Sequence, residues 1–180
     1  GIERNIPINV YAKSNQIDKV EATFANTKIF AAFFEDKFGP FPFNRISYVS
    51  TNLGCMEHVD NIAFASSLIT GTSNINSDYF ISHEMAHAWF GNKVTCSTAA
   101  DMWLNEGFAT FCNNYYYTEL YGEDFYYEAM DDLIDDIIMS CHTQEGWIPL
   151  NELPLDLTYG TMAYDKGAVV AHTLMNYLGR

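Results

Sequence analysis

At 180 residues, with 48% hydrophobic and 18% charged side chains, the chain is long enough for one hydrophobic core and too apolar for a disordered segment. A formal net charge of −14 argues against nucleic acid as a partner, because phosphate binding needs a basic surface. No apolar run is long enough to cross a bilayer, so membrane insertion is not expected.

Residues 1–15 read as extended, with Ile6, Ile8 and Val10 alternating. Residues 16–38 carry a helical pattern in Ile17, Val20, Phe24, Ile29, Phe30, Phe33 and Phe34, stopped by Gly39-Pro40. Residues 45–50, β-branched and aromatic, predict a strand, and residues 56–65, after Gly54, predict a second. Ser77 and Asp78 open a helix that runs through Trp89-Phe90 to Gly91. Further helices are expected over residues 101–121, over 124–139 and from Tyr164 past Leu178, with a polar, Pro-containing loop over 142–158. Strands first and helices later make an α+β arrangement. With no repeat or linker, residues 1–180 read as one domain, and the last helix lacks a stop before Arg180, as in a piece of a longer chain.

Asp131, Asp132, Asp135 and Asp136 share the spacing of one exposed helix face; a calcium loop would need a Gly turn that this run lacks. Cys55, Cys96, Cys112 and Cys141 form no Cys-x-x-Cys pair, so they read as isolated thiols, with a disulfide left open.

The chemistry is carried by His83-Glu84-Met85-Ala86-His87. Positions four apart on a helix differ by about 40° of rotation, so both imidazoles project from one face and can bind one zinc ion. Glu84, on the same turn, reaches a zinc-bound water rather than the metal and is the general base. Zinc lowers the pKa of that water to about 7, so a carboxylate can take its proton as it attacks a carbonyl. A catalytic zinc wants a third protein ligand and an open fourth position. Glu106 suits that role: residues 88 to 105, eighteen positions, leave room for a turn, a loop and a second antiparallel helix.

HEMAHAWFGNKVT at 83–95, followed by WLNEGFAT at 103–110, resembles the gluzincin aminopeptidases of the aminopeptidase N type, and the likeness runs from about Phe38 to Arg180. The resemblance implies a thermolysin-like catalytic domain, a small mixed sheet packed on a helical lobe. It also implies substrate machinery in Gly54-Cys55-Met56-Glu57, where the family has Gly-x-Met-Glu-Asn. Glu57 would bind the α-ammonium of the substrate, which needs a nearby carboxylate. Backbone around Gly54 and Cys55 would pair with the peptide as an added strand. His58 departs from the family's usual Asn; a positive imidazole beside an ammonium is unfavourable, so it is expected neutral or turned away. Tyr164, singled out from 12 tyrosines by Tyr164-Asp165-Lys166-Gly167-Ala168, matches the family's catalytic tyrosine, whose hydroxyl donates to the oxyanion. Tyr159 is a weaker candidate. Asn113, seven residues after Glu106, stands where the family often has an acidic residue supporting a zinc ligand. Trp89 and Phe90 read as core packing behind the zinc helix.

The expected function is a zinc-dependent aminopeptidase with one Zn2+ per chain, acting on peptides with a free N-terminus. Two alternatives stand beside it: a related zinc hydrolase of epoxide-type substrates, and a zinc-binding domain inactive in isolation. Family members carry a β-rich domain before the catalytic domain and a helical domain after it. Neither fits in 180 residues, so contacts with such missing domains are expected.

Overall fold

The computed structural model describes residues 5–179. They form two compact units, divided between Asn92 and Lys93. In the first, β1 (Ile8–Tyr11), β2 (Ile46–Thr51) and β3 (Ile62–Ala65) make a three-stranded sheet in the order β1-β2-β3. Both pairs are parallel, with Ile8 opposite Ile46 and Tyr48 opposite Ile62. The expected mixed sheet is thus a parallel one; antiparallel pairing among the described residues is a single bridge between Met56 and Ala63.

Parallel neighbours oblige the chain to travel back the length of the sheet between strands. Between β1 and β2 the return is made by α1 (Ile17–Thr23) and α2 (Thr27–Phe38), so helices alternate with the first strands instead of following them all. Between β2 and β3 the return is residues 52–61, which carry Gly54 to Glu57. Residues 56–65 are therefore not one strand: the backbone turns after the Met56 bridge, and Asp60 takes a φ of 60°. The single helix expected over 16–38 is also divided. Thr23 Oγ1 accepts from Gly71 N at 2.9 Å, and Asn26 Nδ2 donates to Asp78 Oδ2 at 2.8 Å. Short polar side chains offer such alternatives to helical bonding, and here the tertiary partners win.

α3 (Ile75–Ala86) starts ahead of the expected Ser77, because Asn74 is its cap. The Asn74 side chain accepts from Asn76 N and Ser77 N, while Ser77 Oγ accepts from Asn74 N. Two side chains dock α3 and the turns after it. The Tyr48 hydroxyl, fully buried, donates to Ile81 O at 2.8 Å, and Trp89 Nε1 donates to Gly39 O at 3.1 Å. Trp89 packs against Phe34, Phe38 and Phe41, the core role expected of it.

The second unit is helical: α4 (Trp103–Tyr115), α5 (Tyr117–Leu120), α6 (Glu123–Asp136), α7 (His142–Gln144) and α8 (Gly167–Leu178), with π turns at Ile137–Cys141 and Met162–Lys166. The helix expected over 101–121 is split at Tyr116, and the expected loop after His142 opens with a helical turn. α4 packs along α8 at backbone distance. A Cβ on Gly107 would lie 2.6 Å from Gly167 Cα, and one on Gly167 would lie 2.8 Å from Gly107 Cα. Only paired glycines let these backbones meet. Asp131, Asp132, Asp135 and Asp136 are exposed on α6, and the four cysteines are free thiols.

Candidate metal centre

In the first unit, α3 presents His83 and Glu84, and His87 stands at its C-cap; they are 5%, 6% and 1% exposed. One helical turn brings His87 Nε2 to 3.2 Å from His83 Nε2. His87 Nδ1 lies 2.9 Å from Phe90 O. A carbonyl only accepts, so Nδ1 carries the proton and the Nε2 lone pair is left for a ligand. Two nitrogens bound tetrahedrally to one zinc at ordinary Zn–N lengths lie about 3.3 Å apart, so the pair has the spacing of metal ligands. Without a metal, His83 Nε2–H can donate across the same gap. Tyr79 stacks on the His83 ring at 5.8 Å. Behind His87, Gly91 has a φ of 138°, and a Cβ there would lie 2.8 Å from Nδ1, so a side chain would displace the ring.

Carboxylate oxygens of Glu57 and Glu84 and a ring nitrogen of His87 lie within 4.8 Å of one another. Two carboxylates this close repel, and a cation between them removes the repulsion. The local field is negative elsewhere too. The Tyr48 hydroxyl is held well above its usual pKa by burial first, then by Glu84 and Cys55. Burial, reinforced by Glu84, pushes the Cys55 thiol up to about 11 against the lowering effect of the Ala65 N–H, so it stays a thiol and is no nucleophile near neutral pH. Its Sγ accepts from Ala65 N at 3.3 Å. The Met56 backbone is committed to Ala63 in both directions, at 3.1 and 2.9 Å. Gly54 and Cys55 lie just before that bridge. His58 is exposed.

In the second unit, Glu106 lies in the first turn of α4 and is 5% exposed. A carboxylate this deep is costly unless paired or bound to a metal. Asn105 beside it accepts from Cys96 N at 3.0 Å and donates to Thr95 Oγ1 at 3.1 Å, fastening the incoming loop to the helix. Tyr164 sits within the π turn Met162–Lys166, a departure from α geometry that is frequent at functional sites. The Glu145 carboxylate caps that turn, accepting from Thr161 N at 2.7 Å and Met162 N at 3.0 Å. Asp165 is raised to about 6, by burial first and then by Asp136 and Glu145. Asn113 is fully buried, and with its amide nitrogen turned inward it donates to Thr110 O at 3.0 Å and Ala109 O at 3.2 Å, within its own helix. Tyr159 is exposed.

The first unit thus sets His83 on one side of His87 and the carboxylates of Glu57 and Glu84 within reach of the same imidazole, and the second holds Glu106 and Tyr164 on neighbouring elements. Two residues with positioning contacts had no role in the sequence reading. Asn92 stands inside the quoted 83–95 segment, but its partner, Glu57 O, is 35 positions away. Glu145 lies in what read as a loop, with no local signal beyond its charge.

Comparison with protein families matches residues 22–180 to the Peptidase family M1 domain. Among curated proteins, endoplasmic reticulum aminopeptidase 1 of Mus musculus is 27% identical over 189 residues, 96% of this chain and 20% of that protein. Among solved structures, an M1 zinc metallopeptidase from Deinococcus radiodurans is 27% identical with a TM-score of 0.70, covering 86% of this chain and 33% of the other. Native leukotriene A4 hydrolase from Saccharomyces cerevisiae shares the fold at a TM-score of 0.80 and 22% identity, over 94% of this chain and 29% of that one. The chain therefore spans about a fifth of the length of the curated relative and about a third of the solved structures.

Proposed function

The chain belongs to peptidase family M1, and from that membership we propose that it is the zinc-binding segment of an aminopeptidase that releases N-terminal residues from peptides. The observation that carries the reading is the buried His83–His87 pair at metal-ligand spacing, with the carboxylates of Glu84 and Glu57 beside His87. The relatives named as aminopeptidases and zinc metallopeptidases support it.

His83 and His87 would hold zinc through their Nε2 atoms, with Glu106 as third ligand, a role that suits a buried carboxylate. When bound, zinc supplies Lewis acidity that polarises the carbonyl and brings a water proton within reach of a carboxylate near neutral pH. Glu84 takes the proton of the attacking water and returns it to the leaving amine. Glu57 binds the α-ammonium, so that cleavage is counted from the peptide's first residue. Gly54 and Cys55 supply main chain for an added substrate strand; Met56 bounds that stretch, since its own main chain serves the Ala63 bridge. Tyr164 donates to the oxyanion. The finer fold reading is a thermolysin-like domain within a longer multidomain protein. The apolar face of α8 left exposed at Leu174, Tyr177 and Leu178 (47%, 87% and 72%) supports further chain packing there.

The test is metal analysis of the intact protein together with turnover of chromogenic aminoacyl amides. One zinc per chain is expected, with activity lost on chelation and restored by zinc. Glu84→Gln should keep the zinc and lose turnover; unchanged turnover sinks the mechanism. Equal cleavage of free and N-acetylated peptides would remove the aminopeptidase reading and leave a broader zinc hydrolase.

A further inference from the structure

The segment that carries Glu57 is tied to the sheet on either side of that residue: before it by the Met56 bridge and by Cys55 Sγ, which accepts from Ala65 N, and after it by Arg45 Nε, which donates to Asp60 O at 3.2 Å, while His58 and Val59 between them are exposed. At Glu57 itself the main chain is gripped by Asn92, whose Nδ2 donates to Glu57 O at 2.6 Å. The Asn92 backbone N–H donates to His87 O at 2.9 Å. One residue therefore joins the end of the helix that bears His83, Glu84 and His87 to the loop that bears Glu57. Asn92, Glu57 and Glu84 line one small cleft.

We propose that Asn92 is a positioning residue: its amide sets the distance of the Glu57 carboxylate from the His83–Glu84–His87 group, and so the register at which the substrate's α-ammonium is held. This rests on the reading of Glu57 as the amine anchor. The carboxylate follows its own backbone through three side-chain bonds, so a shift of the carbonyl becomes a shift of the anchor. A misplacement of about 1 Å is enough to cost about 10²-fold. The bond requires a donor at this position and the reach of Asn. Leu lacks the donor, Asp keeps the shape without it, and Gln keeps it on a longer arm.

The test measures binding, by calorimetry on the zinc-loaded intact protein, of leucine hydroxamate and of the same hydroxamate lacking its α-amino group. Both ligands chelate metal through the same hydroxamate group, and what separates them is the ammonium. The wild-type protein should prefer the amine-bearing ligand; equal affinity would overturn the Glu57 reading rather than this proposal. Given that preference, Asn92→Asp and Asn92→Leu should shrink it about 10-fold or more, with affinity for the des-amino ligand and zinc content unchanged. Asn92→Gln should recover part of it. A preference kept in Asn92→Asp, or a loss shared equally by both ligands, overturns the proposal. So does loss of zinc in both Asn92→Asp and Asn92→Gln, which would make Asn92 a support of the metal helix alone.

Discussion

In residues 1–92 the helix bearing His83 and His87 is held by side chains that donate to backbone carbonyls: Tyr48 to Ile81, Trp89 to Gly39, and Asn92 to Glu57 across the site. In residues 93–180 the helix bearing Glu106 and the turn bearing Tyr164 are brought together by the absence of side chains, where Gly107 and Gly167 let two backbones touch. The two means fail differently. A directional bond can be lost with its donor while the shape survives, whereas a backbone contact has no slack. An added methyl group must push one helix away from the other.

The largest expected effects ask whether each unit supplies one part of the chemistry. Glu84→Gln should lower kcat by about 10²–10⁴, the usual worth of a general base. Tyr164→Phe should lower it by about 10²–10³, the usual worth of an oxyanion donor. Both should retain zinc, and a Tyr164→Phe enzyme with full turnover would remove the second unit's assigned chemical step. Next comes packing: Gly107→Ala should cost about 2–3 kcal/mol in urea denaturation, because the clash is with backbone that cannot rotate away. Tyr48→Phe, which deletes a donor and keeps the ring, should cost only about 1 kcal/mol. If the two losses were equal, the contrast between bonded and close-packed support would fall.

The smallest effect has a pH signature. Asp165 is raised to about 6 in the folded chain, above its ordinary 3.8, so folding favours its protonated form. The resulting cost is absent below about pH 4, grows as the pH rises through 6 and then levels off. Asp165→Asn should leave stability near pH 4 unchanged and raise it at pH 7. Since Asp165 is partly open to solvent, the gain is expected below about 1 kcal/mol. A gain of the same size at both pH values would show that the cost of burying the Asp165 charge, with Asp136 and Glu145 near it, is not its source.

Much of the first unit's site was legible in the residues, because its logic is local. His83, Glu84 and His87 share one helix, and a 3.6-residue turn alone puts both imidazoles on one face, as the 3.2 Å separation of their Nε2 atoms bears out. The fold was legible more coarsely. Periodicity located the helical stretches, but not the break at residues 24–26, where Asn26 leaves the helix for Asp78. Nor did it find the turn that divides residues 56–65, whose cause is the parallel pairing of β2 and β3. Gly107 and Gly167 were visible within their motifs, yet nothing local showed that each exists for the other.

By itself, then, the sequence determined what depends on neighbours within a turn or two: the histidine pair, the carboxylate of Glu84 beside it and the acidic outer face of α6. The tertiary structure decided what depends on residues far apart in the chain: the parallel sheet, the return that carries Glu57, the hold of Asn92 on it, and the glycine contact beneath Glu106 and Tyr164. The reason is physical. Helical hydrogen bonds reach four residues and leave a period in the sequence, whereas a bond across 35 positions or a contact across 60 leaves only two ordinary residues with no mark of the pairing.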